Sequence, residues 1–301
     1  MNEKKYAVAL GNFDGLHKGH MTVLNNALSF KAEGLTPCAL LFDIHPKNIT
    51  KNSAPPMLLT AQHRDDLLKS MGIEVKRISF ESIMGLSAEE FVTEILIKKL
   101  HAGAVCCGFN YHFGKGAKAD SNTLETLCQS YKLYCKVADS EEYKGAAVSS
   151  TRIRECILNG DIENANAMLG REFSYDFTVV SGDKRGRLIG SPTINQHFPD
   201  DFIVPKFGVY ASAVIVDNKL YAGVTNVGRR PSFTCDDLRS ETCILDFSGD
   251  LYGQNIKVML IKYLRPEQIF DSLEALGNQI SSDADRAAAI FADYKAIDFK
   301  Q

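Results

Sequence analysis

What most limits the folds open to this chain is a change in its hydrophobic period near Phe173. Before that point, short apolar runs alternate with stretches whose apolar residues recur at helical spacing. Ala7 to Leu10 is an apolar run that stops at Gly11, and Val23, Leu24, Ala27 and Leu28 then mark one face of a helix that Gly34 ends. Cys38 to Phe42 reads as the next strand. Thr60 opens a polar helix through Leu67 and Leu68, and Ser87 with Glu90 makes a capping box ahead of Phe91 and Ile95. The series continues with a strand at Ala104 to Cys107, a helix marked by Leu124, Leu127 and Tyr131, and a strand at Leu133 to Val137. Thr151 to Leu169 reads as two short helices punctuated by Gly160 and Gly170. Such alternation predicts a parallel sheet with helices on both faces, an α/β domain over residues 1–173.

Beyond Phe173 the segments Phe177 to Val180, Tyr210 to Val216, Tyr221 to Val227, Cys243 to Phe247 and Ile256 to Ile261 are β-rich, with Asp217-Asn218 as a turn between two of them. They predict an antiparallel β-barrel or sandwich in a second domain, residues 174–301. The helical spacing of Ile269, Leu273, Leu276 and Ile280 after Pro266 predicts closing helices. A chain of 301 residues has the length for two such cores.

Charge and cysteine usage narrow the function classes. With 37 acidic against 34 basic residues, the chain lacks the cationic excess of a polynucleotide-binding surface, so no nucleic-acid partner is expected. No membrane association is expected either, because no segment approaches the ~20 apolar residues of a span. The run after Lys4 and Lys5 is broken by Gly11, Asn12 and Asp14, too early for a signal peptide. The cysteines form no C-x-x-C pair, and Cys38, Cys106, Cys107 and Cys135 fall in apolar runs, as reduced core thiols of a cytoplasmic protein would. Zinc ligation normally shows close ligand pairs, which are missing.

Two segments carry groups suited to phosphate. Gly11-Asn12-Phe13-Asp14-Gly15-Leu16-His17-Lys18-Gly19-His20 lies between the first strand and the first helix, at the sheet edge where ligands bind in parallel folds. Glycines admit a close backbone approach, the helix start offers unpaired N–H groups, and His17 and His20 can donate to phosphoryl oxygens. Ser149-Ser150-Thr151-Arg152-Ile153-Arg154 also precedes a helix. Its hydroxyls serve either to cap that helix or, with the arginine forks, to hold a triphosphate tail.

Together these segments resemble the nucleotidyltransferase superfamily, and G-N-F-D-G-x-H-x-G-H resembles its flavin branch, the bacterial bifunctional riboflavin kinase/FAD synthetases. Phe42-Asp43-Ile44-His45-Pro46, Gly108 to Gly116, and Asn159-Gly160-Asp161 with Leu169-Gly170-Arg171 extend the likeness over nearly the whole chain. In the second half, Gly190-Ser191-Pro192-Thr193-Ile194-Asn195 resembles the riboflavin kinase signature G-x-P-T-x-N, followed in family order by Asn226 to Phe233 and Glu241 to Phe247.

The resemblance implies riboflavin phosphorylation to FMN, then in-line attack of FMN phosphate on the α-phosphorus of ATP, giving FAD and pyrophosphate with no covalent protein intermediate. It assigns Gly11, Phe13, Asp14 and Gly15 to the nucleotide and His17 and His20 to the pentacoordinate centre. Ser150, Thr151 and Arg154 would hold pyrophosphate with Mg²⁺, and Asn110 would lie near adenine or flavin. In the kinase half, Gly182, Arg187 and Gly190 would line the phosphate cradle, and Thr193 and Asn195, oxygen donors pointing the same way from an extended segment, would hold Mg²⁺. Glu241, expected at a strand start, would be the base for the riboflavin hydroxyl, and Arg229 is placed with the flavin, with phosphate-side, loop-ordering and purely structural roles staying open. ATP is co-substrate in both steps.

The chain departs from the family at three places: Ile44 stands for a proline, Asn110-Tyr111-His112 for a D-F-R type run, and Ser191 for a phenylalanine whose loss removes packing area. A single-activity nucleotidyltransferase and a non-catalytic flavin- or nucleotide-binding regulator are the rival readings. The paired kinase motifs argue against the first, and His17, His20, Thr193, Asn195 and Glu241 against the second.

Overall fold

The structure, a computed structural model, describes residues 4–43, 54–181, 193–230 and 237–298. It divides into two compact units, Met1–Ser150 and Thr151–Gln301.

The first unit is built on a parallel sheet of β1 (Tyr6–Leu10), β2 (Thr36–Phe42), β3 (Glu74–Ile78), β4 (Ala102–Gly108) and β5 (Tyr134–Ala138), in the order β3-β2-β1-β4-β5. Successive residues of β1 serve opposite faces: Ala7 and Ala9 join one core with Leu24, Ala27 and Leu68, while Val8 and Leu10 join another with Phe91, Leu96 and Leu124. Burial on both faces is why the strand is an unbroken apolar run. The helices are α1 (Lys18–Ser29), α2 (Ala61–Ser70), α3 and α4 (Ser121–Ser130). Helix α3 opens with the turn Ala88–Glu90 under the expected Ser87/Glu90 capping box and then continues as a π-helix, Phe91–Lys99. Because the chain winds from β1 to β2 on one side and β4 lies on the other, the strand order reverses beside the end of β1, the crevice in which such sheets bind ligands. A short hairpin of β6 (Glu142–Tyr143) and β7 (Ala146–Ala147) turns through Lys144 and Gly145, both at positive φ. Neither β3 nor this hairpin is marked by an apolar run.

In the second unit, helices α5 (Ser150–Asn159) and α6 (Ile162–Leu169) lead into a curled antiparallel sheet. Its strands are β8 (Phe173–Thr178), β9 (Thr193–His197), β10 (Gly208–Val216), β11 (Lys219–Arg230), β12 (Asp237–Ile244) and β13 (Asn255–Arg265), in the order β8-β13-β10-β11-β12-β9. Helix α6 packs on β13 and β8. Asn166 ties the join, donating to Leu260 O at 2.9 Å and accepting from Phe173 N at 2.7 Å. As expected, Asp217 and Asn218 turn the chain between β10 and β11, at φ 49° and 61°. The strand expected at Cys243 to Phe247 is displaced: β12 ends at Ile244, and Asp246 sits in a turn at φ 56°. Its inward positions are the fully buried Ser240 and Thr242, so it lacks the apolar alternation that announces a strand. The Thr242 hydroxyl is satisfied across the sheet, where Ser212, Thr225 and Thr242 form a ladder with 2.8 and 2.9 Å steps. A single helix α7 (Leu273–Asp298) closes the chain and packs on β10, β11 and β13. Its anchor is the buried pair Arg265–Asp283, 2.8 Å, with Gln279 also donating to Asp283. Ile269 and Leu273, counted in the apolar stripe, are exposed.

Candidate active sites

The first site is a turn made to leave β1 and enter α1 in a confined space. Phe13 at φ 50° and Leu16 at φ 41° hold left-handed conformations, each costing on the order of 1–3 kcal/mol, and Gly15 at φ 84° holds one freely. Phe13 is 0% exposed and Leu16 1%. Burying two such side chains returns roughly 1.5–3 kcal/mol each, enough to offset the strain. The Phe13 ring lies on Gly11: a Cβ there would stand 3.2 Å from it, a tight contact.

His17, 5% exposed, is the N-cap of α1, and its Nδ1 accepts the His20 N–H at 3.2 Å. That bond requires an unprotonated Nδ1 and so assigns the proton to Nε2, leaving Nε2–H as a donor. The His17 and His20 rings stack 3.6 Å apart with 15° between planes, too close for both to be cationic without strong repulsion. The Phe13 ring meets His20 edge-on at 5.3 Å. Asp14, also buried, accepts Leu58 N–H at 2.9 Å, and Arg64 donates to Asn12 O at 3.1 Å.

Ser150, at the end of the first unit, reaches this turn. Ser150 Oγ donates to Asp14 O at 2.8 Å, so one hydroxyl of the S-S-T-R-I-R segment lies on the turn itself. Thr151 and Arg154 follow it on the opening turn of α5. Asn110 stands just past the end of β4, the neighbour of β1, and is therefore at the same sheet edge. Elsewhere in this unit, burial pushes the Cys38, Cys106 and Cys107 thiols up to about 12, which leaves them as core thiols.

The second site lies on strands. Asn195 of β9 is the register partner of Glu241 in β12, and Glu241 is the partner of Asn226 in β11, so the three share one face of the sheet. Glu241 thus sits inside a strand, not at its start as the sequence suggested. Its side chain is 45% exposed, whereas Asn195 is 4% exposed. The buried Arg239, two residues back on the same face, brings Nε to 4.0 Å from Glu241 Oε1. Thr193 precedes Asn195 by two and faces the same way. Arg229 pairs with Leu238 and has the opposite strand parity, so the structure does not bring it onto the Glu241 face. Gly182, Arg187, Gly190, Ile44 and Ser191 lie outside the described residues.

Thr193 and Asn195 suit a hard cation such as Mg²⁺: they are neutral oxygen donors on one face, with the Glu241 carboxylate opposite Asn195. Among the described residues no group of three or more His, Cys, Asp or Glu could hold a metal ion, so a cation here would draw its remaining ligands from nucleotide phosphates and water.

Sequence reasoning passed over Arg64 and Arg239 and gave Asn226 no role of its own. Only Arg64 carries a local signal, a cation in the first turn of a helix, where the backbone field favours an anion.

A Rossmann-like unit with a histidine-bearing turn at its switch point, joined to an antiparallel unit with a carboxylate opposite oxygen donors, is the architecture of a two-site transferase acting on nucleotides. The FAD synthetase family model matches residues 1–152 and the riboflavin kinase model residues 169–291. Bifunctional riboflavin kinase/FMN adenylyltransferases are similar to the chain along its length. That of Listeria monocytogenes is 32% identical, covering 95% of this chain and 92% of that protein. That of Bacillus subtilis is 32% identical with 97% and 95% covered, and that of Escherichia coli 31% with 94% and 92%. A crystal structure described as a macrolide-efflux protein from Streptococcus pneumoniae is 30% identical, with a TM-score of 0.87 over 96% of this chain and 95% of that one. No helix among the described residues is long and apolar enough to cross a membrane. The chain belongs to the family of bifunctional riboflavin kinase/FMN adenylyltransferases.

Proposed function

We propose that the antiparallel unit phosphorylates riboflavin and that the Rossmann-like unit adenylylates the FMN so formed. The observation that supports this most is the convergence of motifs far apart in sequence, Ser150 on Asp14 in one site and Glu241 opposite Asn195 in the other.

In the kinase step Glu241 accepts the proton of the riboflavin 5′-hydroxyl, the hydroxyl oxygen attacks the γ-phosphorus of ATP, and ADP leaves. Mg²⁺, when bound, offsets the phosphate charge. Thr193 and Asn195 would be its protein ligands, and Arg239 stands beside Glu241 with Nε 4.0 Å from Oε1. In the adenylyl step an FMN phosphate oxygen attacks the α-phosphorus of a second ATP and pyrophosphate departs. His17 donates from Nε2 and His20 from beside it to the oxygens that gain charge. Ser150, Thr151 and Arg154 hold the departing pyrophosphate, Gly11, Phe13, Asp14 and Gly15 form the nucleotide cradle, and Asn110 bounds the adenine or flavin side. Arg229 is left to the flavin or phosphate side of the kinase, together with Gly182, Arg187 and Gly190.

The functional boundary falls at Phe173: helices α5 and α6 count with adenylyl transfer because Thr151 and Arg154 belong to its motif, although they pack in the second compact unit. Buried, reduced-type thiols support a cytoplasmic enzyme. The test is incubation of the protein with riboflavin, ATP and Mg²⁺ and separation of the flavins by chromatography. FMN and then FAD with pyrophosphate are expected, and chelation of Mg²⁺ should stop both steps. FMN as the sole product at high FMN and ATP would rule out the adenylyl step.

A further inference from the structure

The turn between β1 and α1 depends on an anchor from outside its own segment. Arg64 projects from the first turn of α2, where Thr60 is the N-cap and the backbone dipoles disfavour a cation. Burial disfavours its charge as well. Its Nε is buried with no acceptor among the described residues. The nearby carboxylates are engaged, Asp65 with Arg77 at 2.5 Å and Asp14 with Leu58 N–H at 2.9 Å. What Arg64 does bond is one backbone oxygen, Asn12 O, at 3.1 Å from Nη1.

That oxygen belongs to the peptide joining Asn12 to Phe13. Its direction sets how the chain enters Phe13, which stands at φ 50°. The Phe13 ring in turn covers Gly11 and meets the His20 ring edge-on, centroids 5.3 Å apart. We propose that Arg64 is a positioning residue for adenylyl transfer: its bond to Asn12 O fixes the Asn12–Phe13 peptide and, through the Phe13 ring, the imidazole of His20. The proposal rests on the adenylyl-transfer reading of this turn. Without the bond the peptide is free to rotate and His20 loses the ring that seats it. A reacting group misplaced by about 1 Å costs on the order of a hundredfold in rate. Because the loss falls on the transition state, it is read in kcat and not in substrate binding.

The full-length protein carrying Arg64→Met is assayed for conversion of supplied FMN to FAD with ATP and Mg²⁺, and separately for riboflavin phosphorylation, with folding followed by thermal melting. Adenylyl-transfer kcat is expected to fall about tenfold to a hundredfold, with KM for FMN and ATP held within about threefold. Phosphorylation should keep its parent rate, and Arg64→Lys, which retains a cationic donor, should recover most of the lost kcat. Parent-like adenylyl transfer in folded Arg64→Met overturns the proposal. A raised KM with kcat kept also overturns it, since Arg64 would then be a ground-state ligand. Parallel loss of both activities in the Met and Lys variants, with lowered melting temperatures, reduces Arg64 to a structural role and overturns it too. A parent protein that forms FMN but no FAD removes the functional reading and the proposal together, a result distinct from loss confined to the variants.

Discussion

In the Rossmann-like unit the candidate histidines stand on a turn at the edge of the sheet, whereas in the antiparallel unit the candidate base and cation ligands stand on the strands. The difference lies in what holds them. His17 and His20 depend on a strained turn kept in place by buried Phe13 and Leu16 and by bonds from Leu58, Arg64 and Ser150. Glu241 depends on register: a slip of one residue in β12 would carry it from the face it shares with Asn195 and Asn226 to the interior side of the sheet. A site on a turn is therefore exposed to the loss of distant anchors, and a site on strands to any change in pairing.

The largest effect that tests this contrast is expected from Glu241→Gln. Removing the proton acceptor should lower riboflavin phosphorylation by roughly a hundred to ten thousandfold, while supplied FMN is still adenylylated at the parent rate. Each flavin product is followed separately. Loss of both activities in a folded variant would break the contrast at its root. Next comes His20→Ala, for which FAD formation should fall about a hundredfold or more with FMN formation preserved. Near-parent FAD synthesis would return the stacked pair to the status of ordinary loop histidines.

Stability offers two smaller probes. Gly208 opens β10 at φ 141°, and a Cβ there would overlap Arg265 O and press on the Tyr263 ring at 2.8 Å. Gly208→Ala should destabilise the antiparallel unit by about 2 kcal/mol or more in urea melting, with phosphorylation declining before FAD formation. The smallest effect is expected from Ser87→Ala, which deletes the 3.1 Å cap on Glu90 N–H and should cost about 1 kcal/mol. Both catalytic rates should survive it, because α3 carries none of the candidate residues.

The contrast also separates what the sequence discloses from what it hides. Caps are local, so Thr60 and the Ser87/Glu90 box are readable, as is the Asp217-Asn218 turn. The histidine turn is readable because its residues are contiguous and adjoin a strongly apolar strand. Strand β3, at the sheet edge, is Glu74, Val75, Lys76, Arg77 and Ile78, of which only Ile78 is buried, and so gives little apolar signal. Strand β12 hides for the reason that Ser240 and Thr242 fill its inward positions with hydroxyls. With β12 unread, neither the mid-strand place of Glu241 nor its partnership with Asn226 is visible. Arg64 and Asn12 are 52 residues apart, and only the pairing of helix and turn in space joins them.

The six-stranded sheet has one consequence for how the kinase unit breathes. Strands β8 and β9 end the sheet on opposite sides, and what joins them among the described residues is slight: Val180 N–H on Asn195 O at 2.9 Å and the Gln196 amide on Phe177 O, with a further bond from Gln196 to Ile256 O of β13. Among the described residues the curled sheet therefore has a seam, and Thr193 and Asn195 ride along it. Amide protons of β9 should exchange with solvent ahead of those in β10 and β11, which are bonded on both sides. A cation gripped by Thr193 and Asn195 would act as a clasp, and nucleotide entry would be felt as slowed exchange along that single strand.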